Sequence, residues 1–252
     1  MSENFRKSII SRTRVDVVEM EHMYIGKNKN EKANGKKRIV TEREKDAHYM
    51  RRQKAKAEDV KRLMEINFEN FRSTFVTLTF SKQPADLKEA NKCIRNFIRF
   101  LKKRYYDLRY LAVVESNDYG NFHYHLVLNV VYDTMLEKDI RKAWKHGIEV
   151  EIKEVYDIEG LAGYITKQFT KRDGVLYGKK RCLHSKELQD AIVVKSWDAD
   201  IELQNYVKTE LKEEVPVSYY FCKNENAGVV RYASYDKKID FFDSYVVARR
   251  IN

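Results

Sequence analysis

The stretch NFHYHLVLN, residues 121 to 129, sets His123 and His125 two positions apart in a segment that alternates like a β-strand. Side chains alternate between the faces of a strand, so the two imidazoles point one way while Phe122, Tyr124, Leu126 and Leu128 point the other. The preceding LRYLAVVE reads as a second strand, and the polar NDYGN between them, residues 117 to 121, as the turn of a hairpin. Pairing about that loop sets Glu115 opposite His123 and Val113 opposite His125, and directly opposed residues share a face. Two imidazole nitrogens and a carboxylate then converge, a donor set able to hold a divalent ion with positions left open for substrate. A slip of one residue in register would break the set.

A second group with chemical potential lies in EGLAGYITKQFTKR, residues 159 to 172. The spacing predicts a helix with Ile158, Leu161, Ile165 and Phe169 buried. Gly160, Tyr164, Lys167 and Lys171 share a different face, with a phenol and an ammonium one turn apart beside a small residue. A Tyr-x-x-Lys pair on its own is common and says little.

The elements that must position these groups are legible around them. STFVTLTF, residues 73 to 80, buries Val76, Leu78 and Phe80 and turns Thr77 and Thr79 to a polar face. After Pro84, Asp86 and Glu89 form a capping pair for a helix with Leu87, Ala90, Ile94, Phe97, Ile98, Leu101 and Tyr105 on one stripe. Past the hairpin, Thr134 and Glu137 read as a capping box for a helix ending near His146 and Gly147; IEVEIKEV reads as a strand, and a last helix starts near Asp157. The order β, α, β, β, α, β, α predicts an α+β protein with a central antiparallel sheet of ferredoxin-like or RNA-recognition type.

The flanks are less regular. Residues 41 to 70 carry Ala57, Val60, Met64 and Phe68 at helical spacing, with Leu63 and Phe71 beside them, a basic amphipathic helix; GKNKNEKANGKKR before it reads as a loop or tail. Past residue 187, DADIELQNYVKTELKE suggests a helix, and VSYYFCKN with AGVVRYASYD a small hairpin. The expected organisation is an N-terminal extension over residues 1–70, a core over 71–190 and C-terminal accessory elements over 191–252.

Charge narrows the partner. The net charge is +11, and it is concentrated: residues 1–72 carry +7, residues 163–186 carry +6, and the remainder is slightly acidic. Two basic blocks on a folded chain suit a polyanion, nucleic acid first. Cys93, Cys182 and Cys222 are far apart and lack C-x-x-C spacing, which argues against a disulfide framework or zinc knuckle. The N-terminal residues lack the apolar core of a signal peptide, and no run approaches the roughly 20 apolar residues that span a bilayer. The expectation is a soluble, cytoplasmic protein without membrane association. No G-x-x-x-x-G-K-[ST] phosphate loop occurs, so a separate helicase is expected.

FVTLTF, the His-x-His of FHYHLVL preceded by Glu115, and YITK, in that order, resemble the three motifs of the HUH endonucleases, specifically the rolling-circle replication initiators (Rep proteins) of bacterial plasmids and filamentous phages. The resemblance covers about residues 66 to 190, including the basic YGKKRCLHSKEL after the tyrosine. Relaxases of the same superfamily usually place the tyrosine before the histidines. Tyr124 stands between the histidines where an aliphatic residue is more frequent, on the side away from the proposed ligands.

The resemblance implies a single-tyrosine nickase of single-stranded origin DNA, active in the cytoplasm of a bacterial host. Mg²⁺ or Mn²⁺ held by His123, His125 and Glu115 would polarise the scissile phosphate. Tyr164 would attack it, leaving a 5′-phosphotyrosyl enzyme and a free 3′-hydroxyl to prime a host polymerase. Lys167 would hold the phosphate or favour the phenolate. Thr77 and Thr79 would face the DNA, and Lys171, Arg172, Lys179, Lys180, Arg181 and Lys186 would meet its backbone. A homodimer is one way to supply a second tyrosine.

Three other readings share some of these features. An HUH transposase keeps the chemistry, although such proteins are commonly shorter. A non-catalytic single-strand binder would present stacked aromatics on the open sheet face, where this chain puts imidazoles. An iron oxygenase with two histidines and a carboxylate shares the ligand set but gives no role to Tyr164 or the basic blocks.

Overall fold

Runs of β-branched and aromatic residues alternating with polar ones form strands, and apolar stripes at helical spacing form the helices between them. A computed structural model of the chain describes residues 5–22, 41–117, 119–147, 149–171, 174–195, 201–224 and 227–237. The chain opens with strands β1 (Phe5–Ile10) and β2 (Val15–Met20) and helix α1 (Glu42–Asn67). It continues with β3 (Thr74–Thr79), α2 (Leu87–Lys102), β4 (Tyr110–Ser116), β5 (Phe122–Leu128), α3 (Thr134–Ala143) and β6 (Val150–Glu154). Helix α4 (Ile158–Thr166) runs into a 3₁₀ turn, Lys167–Thr170. Strands β7 (Cys182–His184) and β8 (Ile192–Lys195), helix α5 (Ile201–Glu210) and strands β9 (Ser218–Asn224) and β10 (Gly228–Tyr235) follow.

These elements fall into two compact units, residues 41–190 and residues 1–40 with 191–252. The first contains an antiparallel sheet in the order β6-β3-β5-β4-β7. Its β3-α2-β4-β5-α3-β6 portion follows the split βαβ pattern of ferredoxin-like proteins, and the α+β class expected from the sequence is the one observed. The sequence did not announce β7, a three-residue strand on the β4 edge.

Each face of this sheet has its own core. Val76, Leu78, Ala112, Val114, Tyr124, Leu126 and Leu128 meet Ile94, Phe97 and Leu101 of α2 and Leu136 and Ile140 of α3. On the opposite face, Phe75, Leu111, Val113, Val127 and Cys182 meet Val60, Leu63 and Met64 of α1 and Ala162 and Ile165 of α4. The amphipathic helix expected before residue 70 therefore lies on the sheet within this unit. Only one end of that second face is covered by apolar contacts; Thr77, Thr79, Glu115, His123 and His125 occupy the other.

Three local readings need correction. Asp133, not Thr134, caps α3: its Oδ1 accepts from the Leu136 amide at 2.6 Å. Thr134 enters the helix, and Glu137 turns instead to Arg141 and Tyr132. Helix α3 also ends at Ala143 rather than near Gly147, because Trp144 leaves helical geometry and its indole donates to the Thr79 carbonyl at 3.0 Å. Gly147 passes so close to that strand that a Cβ would lie 1.8 Å from the same carbonyl oxygen. Thirdly, the helix carrying Tyr164 tightens to 3₁₀ after Thr166, whose hydroxyl bonds back to the Ala162 carbonyl at 2.7 Å.

The second unit contains the sheet β8-β1-β2-β10-β9, also antiparallel. Ile10, Val15, Val17, Ile192 and Val194 are its buried strand residues, and Leu203, Val207 and Leu211 are buried on and just after α5. The C-terminal helix and hairpin expected from the sequence are present as α5 and β9–β10; residues 198–200 of the expected helix lie outside the described residues. Among the described residues, no helix is long and apolar enough to cross a membrane.

Candidate active site

The hairpin β4–β5 is closed by Asn117, whose side-chain oxygen accepts from the amides of Tyr119 and Asn121, and by Gly120 at positive φ. This turn fixes the expected register: Glu115 pairs with His123, and Val113 with His125. On the other side of β5, Thr79 pairs with His123 and Thr77 with His125. One row of the sheet thus runs Thr79, His123, Glu115, and the next runs Thr77, His125, Val113.

Contacts across these rows orient both imidazoles. Nδ1 of His125 lies 3.4 Å from the Thr77 hydroxyl, and Nδ1 of His123 lies 3.3 Å from that of Thr79. The two threonines, expected on the DNA-facing side, therefore stand against the histidines as well. Nε2 of His125 lies 2.9 Å from Oε2 of Glu115. Phe75 stacks on the buried His125 ring at a centroid distance of 5.9 Å.

The tyrosine arrives from α4. Asp157 caps that helix by accepting from the Gly160 amide at 2.9 Å, and Ile158, Ala162 and Ile165 anchor its buried side. Tyr164 stays on the open side, 53% exposed, with its ring 5.8 Å from that of His125 in an edge-on arrangement. The other tyrosine nearby, Tyr156, is exposed and packs against Phe71. A hydrogen bond to Glu154 raises the Tyr156 pKa and so disfavours its phenolate.

Electrostatics differ between the ligating candidates. Burial acts to raise the Glu115 pKa, but hydrogen bonds and charge from Lys171 and His125 together outweigh it, leaving the carboxyl below its ordinary value. Burial lowers the His123 pKa, which favours the neutral, ligating imidazole. The donor types suit a divalent cation: two imidazoles with Nδ1 beside a hydroxyl, and an ionised carboxylate. As arranged, no three His, Cys, Asp or Glu side chains among the described residues form a ligating cluster. The Lys171 ammonium, 2.8 Å from Oε1, occupies the remaining oxygen of Glu115.

The remaining expected residues are dispersed. Lys167 and Lys186 are exposed, and Arg172 lies outside the described residues. Lys179, Lys180 and Arg181 line a cavity of about 470 Å³ together with Lys56, Val60 and Phe169. Arg181 itself is buried, and its guanidinium donates to the Gln168 carbonyl at 2.7 Å, tying β7's entry to the 3₁₀ turn. Lys56 in that cavity escaped the sequence reading; its place on the basic face of α1 was the available signal.

A ferredoxin-like sheet with a histidine pair, a carboxylate and a tyrosine on one open face is compatible with the HUH fold. Residues 73–173 match the model of a family described as Replication-associated protein, of the ORF2 and gene 2 protein type. The chain therefore carries a replication-associated domain of that family, in agreement with its resemblance to rolling-circle initiators. No curated protein and no solved structure matches the chain significantly.

Proposed function

We propose that this replication-associated protein nicks single-stranded DNA at an origin through Tyr164. The observation that carries the reading is the Tyr164 ring set edge-on to His125, which is bonded to Glu115, on a face that α1 and α4 leave open. A divalent ion bound by His123, His125 and Glu115 would supply Lewis-acid polarisation of a phosphate oxygen.

The chain's own residues account for the remainder of the reaction. The Tyr164 oxygen forms a bond to phosphorus as the bond to the 3′-oxygen breaks; the phenol gives up a proton and the departing oxygen takes one up. The products are a 5′-phosphotyrosyl linkage and a 3′-hydroxyl, and the reverse attack rejoins the strand. Thr77 and Thr79 keep Nε2 of each histidine directed away from β3. Lys179, Lys180 and Lys56 offer cations along the strand's backbone.

A labelled origin oligonucleotide incubated with Mn²⁺ and resolved on a denaturing gel tests this reading. Cleavage is expected with the wild type and not after His123→Ala or in EDTA. Equal cleavage under all three conditions would exclude the proposed site.

A further inference from the structure

Both oxygens of Glu115 are engaged, one by His125 at 2.9 Å and the other by the ammonium of Lys171 at 2.8 Å. Lys171 comes from a different part of the fold. An α-helix continued past Thr166 would stack Lys171 above Tyr164 and Lys167. The 3₁₀ turn instead releases the chain into an extended conformation at Lys171, ψ 135°, and the side chain reaches β4.

We infer that Lys171 is an exchangeable internal cation: it holds the Glu115 carboxylate until a divalent ion takes that oxygen, and is then freed to meet a DNA phosphate. The inference rests on the ligand role proposed above. Three physical points carry it. An ammonium and a divalent ion repel one another and cannot share one carboxylate oxygen at ligating distance. The pair is cheap to open, since the Lys171 side chain is 53% exposed and such pairs contribute little. The flexible stem of lysine also lets its charge move several ångströms with its backbone in place.

Exchange explains why the donors suit a metal although the three are not yet clustered. While Lys171 neutralises Glu115, nothing draws His123 towards it. Removal of the ammonium by the ion would couple metal binding to delivery of a positive charge beside Tyr164, where a phosphate is the available acceptor.

The test is calorimetric titration of the full-length chain with MnCl₂, paired with single-turnover nicking at saturating Mn²⁺. Lys171→Met should bind Mn²⁺ roughly 2- to 5-fold more tightly, as expected for loss of an exposed competing pair. The same variant should nick at least about 10-fold more slowly, on the scale of one charge-assisted bond to the phosphate. Lys171→Arg, which can grip the carboxylate with two N–H groups, should bind Mn²⁺ more weakly than wild type.

A residue with a merely structural role would lower affinity and rate together rather than split them. Wild-type binding with unchanged or weaker affinity in Lys171→Met would overturn the exchange and leave the ligand assignment standing. Absence of binding in the wild type, indistinguishable from His123→Ala, would overturn both.

Discussion

The sheet β6-β3-β5-β4-β7 and the sheet β8-β1-β2-β10-β9 are each built from five antiparallel strands, yet they are assembled and furnished differently. The first draws its strands from a near-continuous stretch and leaves part of one face to histidines, threonines and a carboxylate. The second joins residues 5–20 to strands nearly two hundred residues away, and its polar groups pair locally, as Arg6 with Glu19 and Ser234 with Asp16. Its exposed aromatics, Tyr219, Tyr220 and Phe221, gather on the edge strand β9. The difference shows that architecture alone does not confer the site; it comes from which residues the register places side by side.

The largest effect that can break this comparison is loss of cleavage. Alanine at His123 should reduce metal-dependent nicking to background with DNA binding kept, since the basic cavity supplies affinity. Tyr232→Phe in the second sheet should leave nicking at saturating DNA within about 2-fold, the scale of a surface change of a few tenths of a kcal/mol. Equal losses from the two would erase the distinction between the sheets.

An intermediate effect concerns the threonines. Thr77→Val or Thr79→Val preserves shape but removes the hydroxyl beside each imidazole, and should weaken Mn²⁺ binding by roughly 10- to 100-fold. Ser234→Ala, which removes a 2.6 Å bond in the other sheet, should leave the titration unchanged. Retained affinity in both threonine variants would reduce the row contacts to packing.

Acid stability sharpens the contrast in a different way. The Glu115 pKa is lowered by folding, so its contribution to stability is present above its ordinary value of 4.5 and is lost as pH falls through the lower folded value. His123, buried as the neutral base, also has a lowered pKa; the unfolded chain takes up that proton first, and stability declines as pH falls below 6.5. Denaturant midpoints measured from pH 7 to 3 should show both declines, with His123→Asn removing the upper and Glu115→Gln the lower. Profiles unchanged by the two substitutions would contradict the electrostatics described.

The smallest effect is on ionic strength. Lys179→Gln with Lys180→Gln should reduce the slope of log K against log salt for single-stranded DNA by about 0.7 for each phosphate no longer neutralised. An unchanged slope would assign the two lysines to a solvated surface.

The same contrast governs what could be read from sequence. The Glu115–His123 register was legible because a polar, glycine-containing loop joins two adjacent, strongly alternating segments. Helix α2 was legible because Asp86 and Glu89 mark its start ahead of a regular apolar stripe. Strands β1 and β2 were not, since FRKSII and VDVVEM find outer partners only at residues 192–195 and 230–235. Local competition hid finer points. Asp133 and Thr134 are adjacent capping residues of similar strength, and the back-bonding of Thr166 that ends α4 leaves no periodic trace. The Lys171–Glu115 contact bridges 56 positions and depends on that helix ending, so the spacing that grouped Lys171 with Tyr164 pointed to the wrong neighbour.

Peptide mapping of the covalent adduct trapped after nicking tests the central claim most directly. The account predicts that the 5′-phosphoryl nucleotide is found on Tyr164, and that Tyr164→Phe yields neither nick nor adduct while Tyr156→Phe yields both. A nucleotide on Tyr156 or any other residue, or cleavage by Tyr164→Phe at the wild-type rate, would contradict it.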